Sequence, residues 1–396
     1  MTSTLLFGIF LLTLAGIAVS HRHALRTALG GLAAAIVVSC FVPGFDLPHH
    51  LEHEGRILAN LAGLLLGFAA LAAHFERSHA AERLTARLPN GRAGAFGLLL
   101  VVFVLSAALD NIAAALIGAS AASTLFQRRL HVGYLAAIVA AANAGGAGSV
   151  IGDTTTTMLW FAGASPLWIA PAALGAVVAF VFFGWFASGQ QHALQPLVRS
   201  TAAAKPVDGT RLAIVGAVIA ATIATNLVWE LPAVGVWGTL LLASLLRPFD
   251  VTVVRRALPG TCFLLALVLT ASLMPVHELP EASMPTTFAL GLVSSIFDNI
   301  PLTKLAIDQG GYDWGLLAFA VGYGGSMLWF GSSAGVAVAG VFDQAKSVGA
   351  WLRHGWHVAV GFALGFVVMF LVFGWSPRQL REVGPSTTTT APLHHR

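Results

Sequence analysis

The sequence predicts an all-α polytopic membrane protein with about ten transmembrane crossings, two re-entrant hairpins, and two halves related as an inverted repeat with broken helices. Composition is the first reason. Of 396 residues, 57% are apolar and only 10% charged, and mean hydropathy is +0.81, whereas soluble domains carry roughly 25% charge. The second is the recurrence of apolar runs near the ~20 residues that a helix needs to cross hydrocarbon. The third is a repeated motif. Residues 105–112 read Leu-Ser-Ala-Ala-Leu-Asp-Asn-Ile, and residues 293–300 read Val-Ser-Ser-Ile-Phe-Asp-Asn-Ile. A carboxylate inside a membrane segment costs roughly 2.5–3.5 kcal/mol. One that recurs in register in both halves marks a site.

The spans read, in order, as 4–20, 25–42, 56–74, 94–121, 131–163, 166–187, 211–230, 231–246, 259–275, 284–307, 311–340 and 349–374. The first is taken as an uncleaved helix, because Met1-Thr-Ser-Thr-Leu carries no basic n-region. Segments 94–121 and 284–307 hold the Asp-Asn pairs and are expected to be hairpins. About thirty residues after each pair comes a glycine-rich break, Asn143-Ala-Gly145-Gly146 to Gly152-Asp153-Thr154 and Gly324-Gly325 to Gly331-Ser332-Ser333, so 131–163 and 311–340 are expected to be broken helices. Short, glycine-interrupted apolar segments at matching positions are the best sequence pointer to a carrier's binding site. Five crossings and one hairpin per half give a first repeat at 1–187, a polar linker at 188–210 and a second repeat at 211–374. Five is odd, so the second repeat starts from the opposite face and is inverted. The low-complexity tail 375–396, with Thr387–Thr390, is expected to be disordered.

The pI near 9.5 does not point to nucleic acid, because the Lys and Arg residues form no stripe with aromatic stacking partners. They follow a membrane rule instead. With two hairpins, the loops after 20, 74, 121, 187, 246 and 340 share one side. That side holds sixteen of the 21 basic residues, and only Arg56, Lys304, Arg378, Arg381 and Arg396 remain opposite. The bias places the basic face in the cytoplasm, both termini outside and the chain in the plasma (inner) membrane. A single crossing at 94–121 would move Arg199, Lys205, Arg247, Arg255 and Arg256 outside, so the count favours hairpins.

Of seventeen acidic residues, only Asp110, Asp153 and Asp298 fall away from loops and span ends. Hard cations take oxygen ligands. The motifs supply them from Asp110 and Asn111, Asn143, Asp153 with Thr154 and Thr155, Ser294, Asp298 and Asn299, and Ser332 with Ser333. Gly145, Gly146 and Gly152, with Gly324, Gly325 and Gly331, let the helices unwind. Unwound carbonyls are tolerated at membrane depth where they line a cavity. Asp110, Asp298 and Asp153 are the candidate sodium ligands, and Asp153 has an alternative role as a helix cap. Burial and like charge both oppose ionisation, so such a cluster holds a proton near neutral pH and yields it to a competing cation. An anion would be repelled.

The cargo is therefore expected to be Na+ or Li+ and protons, with no resident cofactor. Lys304 is expected to snorkel to the outer interface; pairing with a site carboxylate is the alternative. Interfacial positions are expected for Trp168, Trp229, Trp314, Trp351 and Trp375, and for His21, His23, His49, His50, His53, His354 and His357. Cys40 and Cys262 are expected to be small core residues. No Ser-His-Asp arrangement, phosphate loop or paired-cysteine metal motif appears, so enzyme chemistry has no foothold.

At these residues the chain resembles the NhaD-type sodium/proton antiporters of the ion transporter superfamily, which also holds arsenite permeases and citrate or other carboxylate carriers. The resemblance rests on Leu109-Asp110-Asn111, on Ala142-Asn143-Ala-Gly-Gly146 running into Ile151-Gly152-Asp153-Thr-Thr-Thr-Thr-Met158-Leu-Trp160, on Ile296-Phe-Asp298-Asn299-Ile-Pro301-Leu302 and on Gly331-Ser-Ser-Ala-Gly335-Val336. It implies a homodimer with a scaffold and a moving transport domain, working by an elevator-like motion. In carboxylate carriers of the superfamily the hairpin tip resembles Ser-Asn-Thr, so Asp110 and Asp298 point to cation exchange. Two departures stand out. Gly260 lies where an acidic residue is expected at the start of the second half's third helix, and His74 and Glu76 sit in an unusual setting. An arsenite or citrate carrier on the same scaffold is the alternative, and a channel-like or non-transporting membrane protein the third.

Overall fold

A computed structural model describes residues 2–19, 23–80, 83, 87–197, 206–229 and 231–380. No strand occurs among them. His21, Arg22, Arg199, Lys205, Arg381 and Arg396, linker residues 198–205 and tail residues 381–396 lie outside the described residues.

The first half contains α1 (Thr2–Val19), α2 (Ala24–Ser39), α3 (Leu47–Arg77), α4 (Gly91–Ser106), α5 (Asn111–Leu125), α6 (Val132–Ala147), α7 (Thr154–Phe161), the single turn α8 (Pro166–Ile169) and α9 (Ala172–Leu194). The second contains α10 (Gly209–Trp229), α11 (Pro232–Ala243), α12 (Val251–Ser272), α13 (Met284–Ser294), α14 (Asn299–Gln309), α15 (Trp314–Gly324), α16 (Ser333–Val341) and α17 (Val348–Phe373). Among the described residues, five helical segments are long and apolar enough to cross a membrane: Leu47–Arg77, Pro166–Leu194, Gly209–Trp229, Val251–Ser272 and Val348–Phe373. With the shorter apolar helices, they make the chain an integral membrane protein.

Each Asp-Asn pair sits where a helix stops and restarts. The chain breaks between α4 and α5 and between α13 and α14. The glycine-rich segments separate α6 from α7 and α15 from α16. At its 11 residues, each of α13 and α14 reaches roughly 16 Å at about 1.5 Å per residue, half of a ~30 Å hydrocarbon layer.

Packing runs in matched pairs. Helix α1 lies on α2 as α10 lies on α11, α4 on α6 as α13 on α15, α2 on α12 as α11 on α3, and α5 on α16 as α14 on α7. Helices α6 and α15 touch at the centre, and every residue from Gly133 to Ala147 and from Trp314 to Gly324 is buried. Small residues permit this approach, since within a membrane close packing replaces the hydrophobic drive between helices. A Cβ on Gly145 would strike the Phe103 carbonyl oxygen, and one on Gly324 the Gly291 carbonyl oxygen. Gly145→Ala or Gly324→Ala is therefore expected to destabilise the fold by about 1–3 kcal/mol. A lowered thermal midpoint in detergent is the check, and an unchanged midpoint would show that the helices can part at no cost.

Helices α1–α3 and α10–α12 pack mainly on one another. Their seam with the remaining helices is apolar. Leu61, Met158, Leu264, Val268 and Ile300 form one buried cluster there, and Leu64, Leu71, Phe75 and Leu109 belong to a second that extends onto α10 and α11. At the basic end, Arg77 meets Asp250 at 2.5 Å, Arg247 meets Asp208 at 3.2 Å and Arg211 approaches His74 Nδ1 at 3.1 Å. The odd placement of His74 thus serves a tie between α3 and α10.

Several expectations need correction. Helix α3 starts at Leu47 with Pro48 in its first turn, not at 56; its opening turns look polar in sequence because they carry three histidines and two glutamates. Gly260 lies well inside α12, exposed, with nothing within 4 Å of an added Cβ, so it faces away from the Asp-Asn pairs. Trp314 and Trp351 are buried, their indole N–H groups donating to the Arg378 and Ser326 carbonyls. His357 is buried and bonds Gln190. Cys40 and Cys262 are exposed on the helix bundle's surface, not in its core.

Candidate functional site

Asp110 and Asp298 occupy equivalent backbone positions, both at φ −52°, ψ 140°. Each is the N-cap of the helix that follows: Asp110 Oδ2 accepts from Ile112 N at 3.2 Å, and Asp298 Oδ1 from Ile300 N at 3.0 Å. The cap orients each carboxylate and leaves oxygen capacity, because an ionised carboxylate has about four acceptor positions. The helix preceding each tip is held by a hydroxyl: Ser106 Oγ donates to the Ala142 carbonyl, and Ser294 Oγ to the Val321 carbonyl at 2.7 Å. Ser294 is therefore engaged with backbone and does not join the polar cluster.

Asp153 and Ser332 are the matching N-caps of α7 and α16, at φ −141°, ψ 142° and φ −143°, ψ 152°. Their side chains behave differently. Ser332 Oγ accepts from Gly335 N at 3.3 Å, whereas the Asp153 side chain makes no cap bond. Asp153 thus stands at the N-cap position of α7 without capping it through its side chain, whereas Asp110 and Asp298 cap α5 and α14. The Thr156 and Thr157 hydroxyls hold the Asp153 backbone carbonyl, each at 2.9 Å. That leaves the Asp153 carboxylate pointing into the protein, 1% exposed, with Oδ2 buried and unpartnered.

Three separate hydrogen-bonded groups involve these residues. Asn111 Nδ2 donates to Asp153 Oδ1 at 2.9 Å and to Asn143 Oδ1 at 3.1 Å. Asn143 Nδ2 donates onward to Ser326 Oγ at 2.9 Å and Ser332 Oγ at 3.1 Å. Ser333 Oγ donates to Asp298 Oδ2 at 3.0 Å, and Asn299 Nδ2 to Thr155 Oγ1 at 2.9 Å. Asp153 lies close enough to feel the charges of both Asp110 and Asp298. Thr154 and Thr157 line a small cavity with Asp110, Asp153, Ile151 and four apolar residues of α3. Gly322 occupies the register of Asn143 in the second half, and a Cβ there would lie 3.0 Å from Asp153 Oδ2.

The fold thus gathers Asp110, Asn111, Asn143, Asp153, Thr154, Thr155, Asp298, Asn299, Ser332 and Ser333 about the junction of α5, α7, α14 and α16. The halves contribute unequally: the first brings an amide and a third carboxylate, and the second brings hydroxyls. Chemically this is a cluster rich in oxygen donors with three carboxylates, a donor set of the kind that hard cations and protons take. Sequence reading missed Ser326, whose hydroxyl immediately follows Gly324-Gly325 in the second break.

It also missed a buried charge cluster. Lys304 does not snorkel: it is 3% exposed, with Nζ 2.9 Å from Glu54 Oε1 and 2.7 Å from Asp308 Oδ1. Glu54, placed in a loop by hydropathy, is 4% exposed within α3. A buried ammonium needs a paired carboxylate, and α3 supplies one that hydropathy alone cannot show.

The chain is similar to known proteins over much of its length. Sodium/proton antiporter 1 of Arabidopsis thaliana is 28% identical over 342 residues, 75% of this chain, which covers 58% of that protein's length. Sodium/proton antiporter 2 of the same plant is 27% identical over 350 residues, 76% of this chain and 82% of the relative. The Na(+)/H(+) antiporter NhaD of Halomonas elongata is 36% identical over 87 residues, 21% of this chain and 18% of the relative. The sequence pattern of the citrate transporter family, CitMHS, matches residues 10–324. On the strength of that match across most of its length, the chain belongs to the citrate transporter family.

Proposed function

We propose that the chain is a secondary active transporter that exchanges sodium or lithium ions for protons at Asp110, Asp153 and Asp298 by alternating access. The observation that carries it is the buried, unpartnered Oδ2 of Asp153 beside two further carboxylates. Such an oxygen is costly unless a cation or a proton meets it. Two candidates for one place is the requirement for exchange, since each displaces the other. The antiporter names of the relatives agree with this chemistry.

The same proposal covers topology. The two Asp-Asn breaks are read as tips of re-entrant hairpins on opposite faces, 1–187 and 211–374 as inverted repeats, and the chain as a homodimer in the plasma (inner) membrane with both termini outside. Matched packing pairs, arms too short to cross alone and the distribution of basic residues support it.

The family description favours a second reading, a citrate, dicarboxylate or arsenite carrier. Three aspartates and no basic side chain within the hydrogen-bonded groups described above weigh against an anionic cargo. Purified protein in proteoliposomes loaded with a pH-sensitive dye separates the readings. Addition of Na+ or Li+ is expected to move protons, and citrate and arsenite are expected to accumulate no faster than in empty vesicles. Citrate or arsenite uptake without cation-driven proton movement would establish the second reading. A conductance far above carrier turnover would instead establish a channel.

A further inference from the structure

We propose that Glu54, Lys304 and Asp308 form a one-sided latch, which fixes α14 and the Asp298–Asn299 tip it carries against α3 in the conformation described. The inference rests on the carrier reading, because a latch has meaning only if the two groups of helices move.

Lys304 lies six residues beyond Asp298 on the helix that Asp298 caps, so any displacement of one displaces the other. Its ammonium spans from Glu54 on α3 to Asp308 on α14. Ile300 and Ile307 of α14 share an apolar cluster with Leu58, Leu61 and Leu65 of α3 and with Leu264 and Val268 of α12, the helix on which α14 chiefly packs. Apolar surfaces can slide past one another with little directional preference, whereas a buried ion pair has a single geometry and is strongly disfavoured when one partner leaves. The pair therefore sets the register of α14 along α3.

The arrangement is not repeated. With Asp298 aligned on Asp110, Lys304 and Asp308 correspond to Leu116 and Ser120. Helix α12, the counterpart of α3, contains no acidic residue. Halves related by pseudo-symmetry exchange roles between the two access states and would make those states nearly equal in energy. A tie present in only one half breaks that equality in favour of the state in which it is closed. Lys304 is thus a positioning residue acting through Asp298 and Asn299, and one that selects a conformation.

The test uses thiol labelling in full-length protein lacking its two exposed cysteines (Cys40→Ser, Cys262→Ser), with Ile151→Cys in the cavity beside Asp110 and Asp153 as reporter. Right-side-out and inside-out vesicles are treated with a membrane-impermeant maleimide. Glu54→Gln and Lys304→Gln are each expected to change the labelling rate from one face about tenfold, and the exchanged pair Glu54→Lys with Lys304→Glu, made together with Asp308→Asn so that no second carboxylate faces the exchanged glutamate, to restore the parental rate. Parental labelling in both single variants overturns the latch, as does an exchanged pair that labels like the single variants. Where a single variant does not accumulate, the exchanged pair decides alone: parental labelling upholds the latch and altered labelling overturns it. Labelling reads position and not transport. Absence of cation-driven proton movement in the unaltered protein would therefore sink the cation-exchange reading while leaving the latch result standing.

Discussion

Asp153→Asn is expected to abolish cation-driven proton movement in proteoliposomes while leaving the protein folded. The Asp153 side chain caps nothing, so its replacement costs α7 no N-terminal bond. Its Oδ1 accepts from Asn111, and an asparagine carbonyl can do the same. What disappears is the charge, and with it the exchangeable proton and the oxygen left free at Oδ2. Asp110→Asn and Asp298→Asn should behave alike, because asparagine caps a helix as well as aspartate does. A loss there cannot be assigned to a frayed helix. Each is expected to lower apparent Na+ affinity by at least ~10–100-fold, the range found when a supporting group of a metal site is removed. Exchange that survives in all three variants would remove the carboxylates from the mechanism.

Asn143→Ala carries the second large effect. This side chain receives from Asn111 and donates to Ser326 and Ser332, so it ties the first break to the second at the centre of the fold. Alanine leaves polar groups stranded among fully buried helices, at about 1–3 kcal/mol for each orphaned group. A fall in the thermal midpoint and a fall in exchange are both expected. Ser326→Ala on the Asn143→Ala background should add little further loss, since groups in one network are not additive, whereas Ser332→Ala should add only the loss of its cap on α16. Full additivity at Ser326 would mean that its hydroxyl acts independently of Asn143.

How much was legible differs by level. The helix breaks follow from the clustering of glycine, Asp and Asn inside apolar runs, although Gly145 and Gly146, expected to unwind, remain helical and the first break opens only at Gly148. The start of α3 was hidden, since hydropathy scores each residue against lipid. Residues 47–55 score as polar, yet Glu54 faces Lys304, which lies 250 positions away. Trp314, Trp351 and His357 show the same blindness in the other direction. Their polar atoms suit an interface, but in the fold they find carbonyl or amide partners on other segments of the chain.

By itself the sequence determined that this is a helical membrane protein of the citrate transporter family, where its helices break, and that two Asp-Asn pairs stand in register. These properties depend on residue type and short-range spacing. Only the tertiary structure decided which oxygens meet, that Asp153 keeps a free carboxylate oxygen while Asp110 and Asp298 cap, that Ser326 joins Asn143 and Ser294 does not, and that Lys304 is buried against Glu54. Those outcomes depend on how helices far apart in the chain rotate against one another. A rotation of one residue's angle carries a side chain from the polar cluster to the backbone of a neighbour, and no periodicity along the chain records it.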